Sequence, residues 1–408
     1  MLYDALVVKV AHVVTNYSPS VGGAQLLFQK LSEGLVHHHH DDVTVLTTNA
    51  LLSPSALDGE LIAPGDEMLN GVLVRRFSYW RKPVPVLRDA MRVANRFKLP
   101  FREYLEPLRI GPISPSMFAA TRRLDVDVIA CMAFPFLHMY YRFGHGRTPI
   151  VLFGALHIND RKLAAPILRA VEQADAYVAF TEFERDTLVA NGMDASKIHV
   201  VGLGVEVASF AGANGQAIRE RLEIGDAPIV GFIGRQARYK GCDTLLNAMV
   251  QVWDRRPDAV LLLAGARTPF SDELDKMVAA LPAPRRARVI MVSDFAESEK
   301  PDWFAACDVF ASISTDESFG LVFLEAWAAG TPVIGGNIGA VACVIRDGED
   351  GFLVPCGQPA PLAVAIEKLL GDDELRARMA ARGNAKVRAE YDWRVVIDKV
   401  RAIYERLL

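Results

Sequence analysis

The sequence is short of the residues that would mark a secreted, metal-built or membrane-spanning chain. Its 408 residues hold five cysteines, Cys131, Cys242, Cys307, Cys343 and Cys356, each standing alone without a metal-ligand pair or a disulfide-like spacing. A reducing cytoplasm is the simpler expectation. No apolar run is long enough to cross a bilayer. The opening MLYDALVVKVAHVVTNY has no basic leader region, and its apolar run is broken by Lys9 and His12, so it reads as a first strand and not a signal peptide. Charge of one sign is also missing. The formal net charge of −4 gives no overall electrostatic case for nucleic acid as a partner.

What is present is apolar material in alternating order. With 51% hydrophobic residues the chain can bury a large core and form two domains. Ala5 to Val14 leads into the turn NYSPSVGGAQ and then into LLFQKLSEGLV, which has helical spacing. Short strands follow at VTVLTT, VLVRRF, VDVIAC, PIVLFGA, AYVAF and KIHVVGL, with helices between the later ones. Gly202 to Gly215, GLGVEVASFAGANG, breaks the alternation and reads as a hinge. A second series begins at once, with strands PIVGFIG, AVLLLAG, RVIMVS, DVFASI and TPVIGG. This predicts an α/β fold of two doubly wound, Rossmann-like domains facing each other over a cleft, ligands entering at the carboxyl ends of the strands. The expected divisions are 1–203, 204–390 and an amphipathic helix at 391–408 packing back on the first domain.

Residues 75–109 differ from their surroundings. They carry ten basic side chains against three acidic ones, interleaved with Phe, Tyr, Trp and Leu. Such a mixture suits an anionic membrane surface, and a solvated, partly helical surface insert is the plainer reading. His37 to His40 form HHHH, a possible chelator that reads more simply as a solvated loop between helix and strand. GLGVEV lacks the full spacing of a dinucleotide fingerprint.

The stretch Asp316 to Gly336, DESFGLVFLEAWAAGTPVIGG, carries two carboxylates across a strand-to-helix junction. Glu317 falls in a turn, and Glu325 inside the apolar segment Phe319 to Ala329, a helix expected to end at Gly330. Eight residues of helix rise ~12 Å, so the pair is expected to grip opposite ends of an elongated ligand. The amides of Phe319 and Gly320 between them would suit an anion. Three further groups are candidates. Gly22-Gly23 closes the first strand and opens a helix, a turn that also brings amides close to phosphate. In GRQARYKG, Arg235 and Lys240 follow the strand end at Gly234, where two cations would neutralise a diphosphate. His157, in VLFGALHIND, lies just past a strand end, although a lone histidine is more often structural.

Together these residues resemble the retaining glycosyltransferases of family four, over nearly the whole chain. ESFGLVFLEAWAAGTPVI matches that family's paired-glutamate motif, GRQARYKG its Gly-Arg loop with lysine, and PSVGGAQ its N-terminal diglycine loop. FTEFERDTLVANG with KIHVVGLGVEVASF is similar to its domain-crossing segment. Two departures stand out. Leu203-Gly204-Val205-Glu206 replaces the usual Asn-Gly-Val-Asp, and Ala155-Leu156-His157 keeps the histidine without a preceding hydroxyl residue.

The resemblance implies the fold called GT-B and a metal-independent hexosyltransferase with no cofactor beyond its sugar-nucleotide co-substrate, GDP-mannose or a UDP-sugar. It implies catalytic roles for Glu317, Lys240, Arg235 and His157. Glu325 would accept hydrogen bonds from ribose hydroxyls, and Arg235 and Lys240 would hold the diphosphate. Glu317, Ser318 and the amides of Phe319, Gly320 and Leu321 would hold the donor sugar, and Gly22 and Gly23 would let the first loop approach. Val292, Ser293 and Phe295 would border the nucleobase. The acceptor would be a hydroxyl of a glycan or, as the basic insert 75–109 suggests, of a lipid-linked intermediate, with the protein expected in the cytoplasm and, through that insert, peripheral on the inner face of the membrane. A nucleotide-sugar epimerase and a non-catalytic nucleotide-sugar-binding protein are the competing expectations.

Overall fold

The computed structural model describes residues 6–20, 23–51, 60–80, 84–99, 102–141, 148–156, 158, 163–293 and 295–408. The chain divides into one unit of Met1–Gly202 with Val396–Leu408, and a second of Leu203–Val395.

The first unit is built on eight strands: β1 (Lys9–Val14), β2 (Asp42–Thr48), β3 (Gly65–Leu69), β4 (Val72–Phe77), β5 (Val128–Met132), β6 (Ile150–Phe153), β7 (Ala176–Ala179) and β8 (Ile198–Val200). Their order across the sheet is β3-β4-β2-β1-β5-β6-β7-β8. All neighbours pair in parallel except β3 with β4. A parallel sheet is covered on both faces, which is why its strands read as unbroken apolar runs. From β1, Val10, Ala11 and Val13 are fully buried.

β3 was not expected from the sequence. Of its residues, GDEML, the first four are exposed and only Met68 and Leu69 are large and apolar, so no apolar run announces them. The signal that does exist is the two-residue turn Asn70-Gly71, with φ of 49° and 84°, closing Leu69 onto Val72. Left-handed angles at both positions are what a tight hairpin requires, and Asn-Gly supplies them.

Val396–Leu408 belongs to the first unit through buried polar contacts. Arg401 Nε donates to Asp41 Oδ2 at 2.6 Å, and both side chains are almost fully buried. His12 Nε2 lies 3.1 Å from the Tyr404 hydroxyl, with His12 Nδ1 2.7 Å from Ser32 Oγ and the ring stacked on Phe28 at 4.6 Å. His37 to His39 are the last turn of the helix Gly23–His39 and not a loop. His39 Nε2 is 2.9 Å from Asp398 Oδ1. Among the described residues no group of three or more potential metal ligands occurs.

The second unit has six parallel strands: β9 (Ile229–Ile233), β10 (Val260–Ala264), β11 (Val289–Val292), β12 (Val309–Ser312), β13 (Val333–Gly336) and β14 (Gly351–Val354). They lie in the order β11-β10-β9-β12-β13-β14. The chain thus winds outward from β9 in one direction and, after β11, returns to start again at β12. β9 and β12 therefore flank the point where the winding reverses, and ligands of such sheets bind outside the strand ends there. No helix among the described residues is long and apolar enough to cross a membrane.

Candidate functional site

Two loops leave the reversal point of the second sheet. The loop after β9 runs through Gly234 and Arg235 to the short 3-10 turn Arg238–Lys240, and Gly241 then opens the helix Cys242–Val252. Gly241 has φ of +74°, and a Cβ there would collide with the Ile313 carbonyl. Both constraints demand glycine. The close approach lets the loops lace together: the Tyr239 carbonyl accepts from Thr315 N at 2.8 Å and from Ser314 Oγ at 3.2 Å.

That lacing fixes a cation against a carboxylate. Lys240 Nζ lies 2.5 Å from Glu317 Oε2, with 18% and 16% of the two side chains exposed. The pair is sheltered yet reachable, each charge lowering the cost of holding the other out of bulk water. Arg235 is exposed and donates from Nη2 to the Tyr239 hydroxyl at 2.8 Å. Arg238 is engaged elsewhere, over the Phe270 ring at 4.5 Å.

The helix carrying Glu325 is Leu321–Ala328, not Phe319 to Ala329, because Gly320 at φ +101° ends the turn in the left-handed region. A Cβ at Gly320 would sit 2.7 Å from the Phe323 ring. Glu317 is therefore outside the helix, and the eight-residue helical span expected between the carboxylates does not apply. Phe323 N donates to the Gly320 carbonyl at 3.0 Å, and the start of the helix, next in sequence to the Glu317 turn, carries the positive end of the helix dipole. Ser318 is half-buried and Phe319 is buried, its ring edge-on to Tyr391 at 5.7 Å.

Glu325 is 7% exposed. Its Oε1 lies 2.6 Å from Lys300 Nζ, and its Oε2 has no hydrogen-bond partner among the described residues. Burial pushes the Glu325 carboxyl up, and Lys300 only partly offsets this. Burial alone would pull Lys300 down, but Glu325, with Glu297 at 3.0 Å, outweighs it and holds the ammonium charged. Sequence reasoning missed Lys300. In the string ESEK only the local spacing to Glu297 is visible, while Glu325 comes from a different helix.

On the far side of the sheet, Val292 ends the edge strand β11, and its carbonyl accepts from Gly265 N at 2.9 Å. Ser293 is exposed, and the Phe295 ring lies 5.3 Å from Trp303. In the first unit Gly23 begins the helix Gly23–His39. Gly22 and His157 lie outside the described residues.

The turn leading to His157 is described up to Leu156, and it is built around Glu184. This buried carboxylate accepts from Tyr177 Oη at 2.7 Å, Phe180 N at 2.8 Å and Leu156 N at 3.2 Å. Between them Ala155 has φ of +60°, a strained angle for alanine.

Two family models match the chain nearly end to end: Glycosyltransferase Family 4 over residues 21–209, and Glycosyl transferases group 1 over residues 215–386. The chain belongs to the family-four glycosyltransferases. A D-inositol 3-phosphate glycosyltransferase of Xylanimonas cellulosilytica is 36% identical over 233 residues, 55% of each chain. Another, of Kineococcus radiotolerans, is 35% identical over 257 residues, 58% of each. The alignments thus span a little over half the length of these curated relatives. Among solved structures, Anabaena HepE in complex with UDP superposes with a TM-score of 0.71 at 18% identity, covering 98% of this chain and 100% of that one. Sucrose-phosphate synthase from Thermosynechococcus elongatus gives 0.72 at 20% identity, covering 98% and 99%. The fold is GT-B, with two Rossmann-like α/β units.

Proposed function

We propose that the chain is a retaining hexosyltransferase that moves a sugar from a nucleoside-diphosphate donor to a hydroxyl acceptor without a catalytic metal. The observation that carries this is the Lys240–Glu317 pair, held by laced loops at the reversal point of the donor-side sheet and followed at once by a helix N-terminus. A cation, a carboxylate and a helix N-terminus in one place match the two ends of a sugar diphosphate. Lys240, Arg235 and the amides at Leu321 take the anionic phosphates. Glu317 takes sugar hydroxyls, and Glu325 the ribose.

The chemistry asked of these residues is electrostatic. When the anomeric C–O bond breaks, its electron pair goes to the diphosphate oxygen, and fixed positive charge lowers the energy of that developing anion. The acceptor oxygen forms the new bond on the same face, and its proton passes to the departing phosphate. No nucleophilic side chain is required. His157 and the Gly22-Gly23 loop serve the sugar and the acceptor in this reading.

The relatives' printed name supports a phosphorylated polyol as acceptor. A lipid-linked acceptor is supported by the helix Val84–Arg96, described below. The deciding experiment incubates the protein with UDP-glucose, UDP-N-acetylglucosamine or GDP-mannose, with and without D-inositol 3-phosphate, and follows nucleotide release and the product's anomeric configuration by NMR. Acceptor-dependent release with retained configuration is expected. An inverted product would sink the mechanism, and absence of release from every pair would sink the activity.

A further inference from the structure

Glu325 poses a problem that donor binding alone does not solve. A carboxylate in the middle of the apolar segment LVFLEAWA is costly to bury, and a partner that served only packing would be expected to satisfy both of its oxygens. Here Lys300 reaches in from the adjacent helix Lys300–Ala305, engages Oε1 at 2.6 Å and leaves Oε2 without a partner among the described residues. Lys300 is itself tethered at its outer side by Glu297 Oε1 at 3.0 Å, and 22% of its side chain remains exposed.

We infer that Lys300 is a positioning residue for nucleoside recognition, holding one oxygen of Glu325 so that the other is presented to a ribose hydroxyl. The inference rests on the nucleoside-diphosphate reading above and extends it to a residue outside the motif-bearing loops. Two features set the arrangement apart from an ordinary structural ion pair. The two charges do not satisfy each other fully, and the unsatisfied atom belongs to the acceptor. A hydroxyl donor is the group that fits it, because a carboxylate oxygen accepts and cannot donate. The ammonium also favours the ionised form of the carboxyl, offsetting part of the effect of burial, and an ionised acceptor binds a hydroxyl more strongly than a neutral one.

The test compares binding of UDP, 2′-deoxy-UDP and 3′-deoxy-UDP by calorimetry on the full chain, with the GDP series used if UDP gives no heat. The wild-type protein is expected to favour the ribonucleotide over at least one deoxy analogue by about tenfold, the worth of one charge-assisted hydrogen bond. Lys300→Met should reduce that preference to about twofold, and Lys300→Arg should retain most of it. In the Glu325→Gln background, adding Lys300→Met should leave the preference unchanged, because Lys300 acts through Glu325. Equal weakening of UDP and both deoxy analogues by Lys300→Met would show a packing role and overturn the inference. So would an undiminished preference. If Lys300→Met does not fold, Lys300→Gln, which keeps a donor but no charge, is read by the same criteria. Failure of every nucleoside diphosphate to bind wild-type protein would instead remove the nucleoside-diphosphate reading, and this inference with it.

Discussion

Lys240 Nζ and Glu317 Oε2 are 77 residues apart in the chain and 2.5 Å apart in space. On the proposed reading, the cation assigned to the diphosphate is paired with the carboxylate assigned to the sugar. A diphosphate must therefore compete with Glu317 for Lys240, and a sugar hydroxyl must compete with Lys240 for Glu317. Binding of the whole donor resolves both competitions at once, whereas a bare nucleoside diphosphate resolves only one.

The two residues should consequently differ when removed. Glu317→Gln is expected to lower turnover by about a hundredfold or more, as loss of a group aimed at the reacting sugar does, while nucleoside-diphosphate affinity is unchanged or tighter. Lys240→Met should lower both. Calorimetry with UDP or GDP alongside kcat separates the cases. Weaker nucleotide binding by Glu317→Gln would contradict the competition.

Much of the frame that holds this pair was legible in the sequence. The strands of a buried parallel sheet are apolar throughout, so β9, AVLLLAG around β10, and DVFASI around β12 stand out without help. The loops stood out because glycine marks where chains must approach, as at Gly241 against Ile313. What could not be read was pairing between side chains from different elements. Arg235, expected on the diphosphate, also reaches the Tyr239 hydroxyl, and Glu325, expected to accept from ribose, also holds Lys300. A charged residue's partner is set by tertiary placement, and sequence spacing reports only partners within a helical turn. The exposed strand β3 was lost for the opposite reason, having no buried face to give it a pattern.

The turn that ends in Leu156 should depend on a single carboxylate. Gly154 has no room for a side chain because a Cβ there would strike Glu184 and the Tyr177 hydroxyl. Ala155, with φ of +60°, directly precedes Leu156, whose N is held by Glu184. Glu184→Ala leaves a buried hydroxyl and two buried amides without their acceptor, at about 1–3 kcal/mol for each unsatisfied group. A drop of several kcal/mol in urea unfolding is expected. A loss below about 1 kcal/mol would show that the turn is held by other contacts.

Acid should destabilise the first unit through its buried histidines. Burial lowers His12 to about 3 and His138 to about 4 from an ordinary 6.5. Above pH 6.5 both are neutral whether folded or unfolded and contribute nothing to the pH dependence. Below it the unfolded chain takes up protons that the folded chain refuses, so stability falls by up to about 1.4 kcal/mol per pH unit for each histidine. The fall continues until pH reaches about 4 for His138 and about 3 for His12. His12→Gln should flatten the dependence of denaturant midpoint on pH between 6.5 and 4, even where it lowers the midpoint itself. An unchanged slope would mean that the imidazole is charged in the folded state.

The helix Val84–Arg96 supplies the last test. Val86, Val93 and Phe97 are spaced by seven and four residues, which puts them on one side of a helix, and they are 74%, 52% and 67% exposed. Arg88, Arg92 and Arg96 recur at intervals of four and occupy another side. Apolar side chains left in water beside a basic face fit the boundary of an anionic bilayer, each apolar group entering the acyl region while the guanidinium groups meet phosphate. Arg81 and Lys82 of the same basic segment lie outside the described residues. In flotation with vesicles containing phosphatidylglycerol, the wild-type protein is expected to float, less so as salt rises. Val86→Ser with Phe97→Ser should abolish flotation at any salt, and neutralising Arg88, Arg92 and Arg96 should abolish its dependence on anionic lipid. A protein that stays at the bottom of the gradient at low salt would remove both the membrane surface and the argument for a lipid-linked acceptor, leaving a phosphorylated polyol as the acceptor to test.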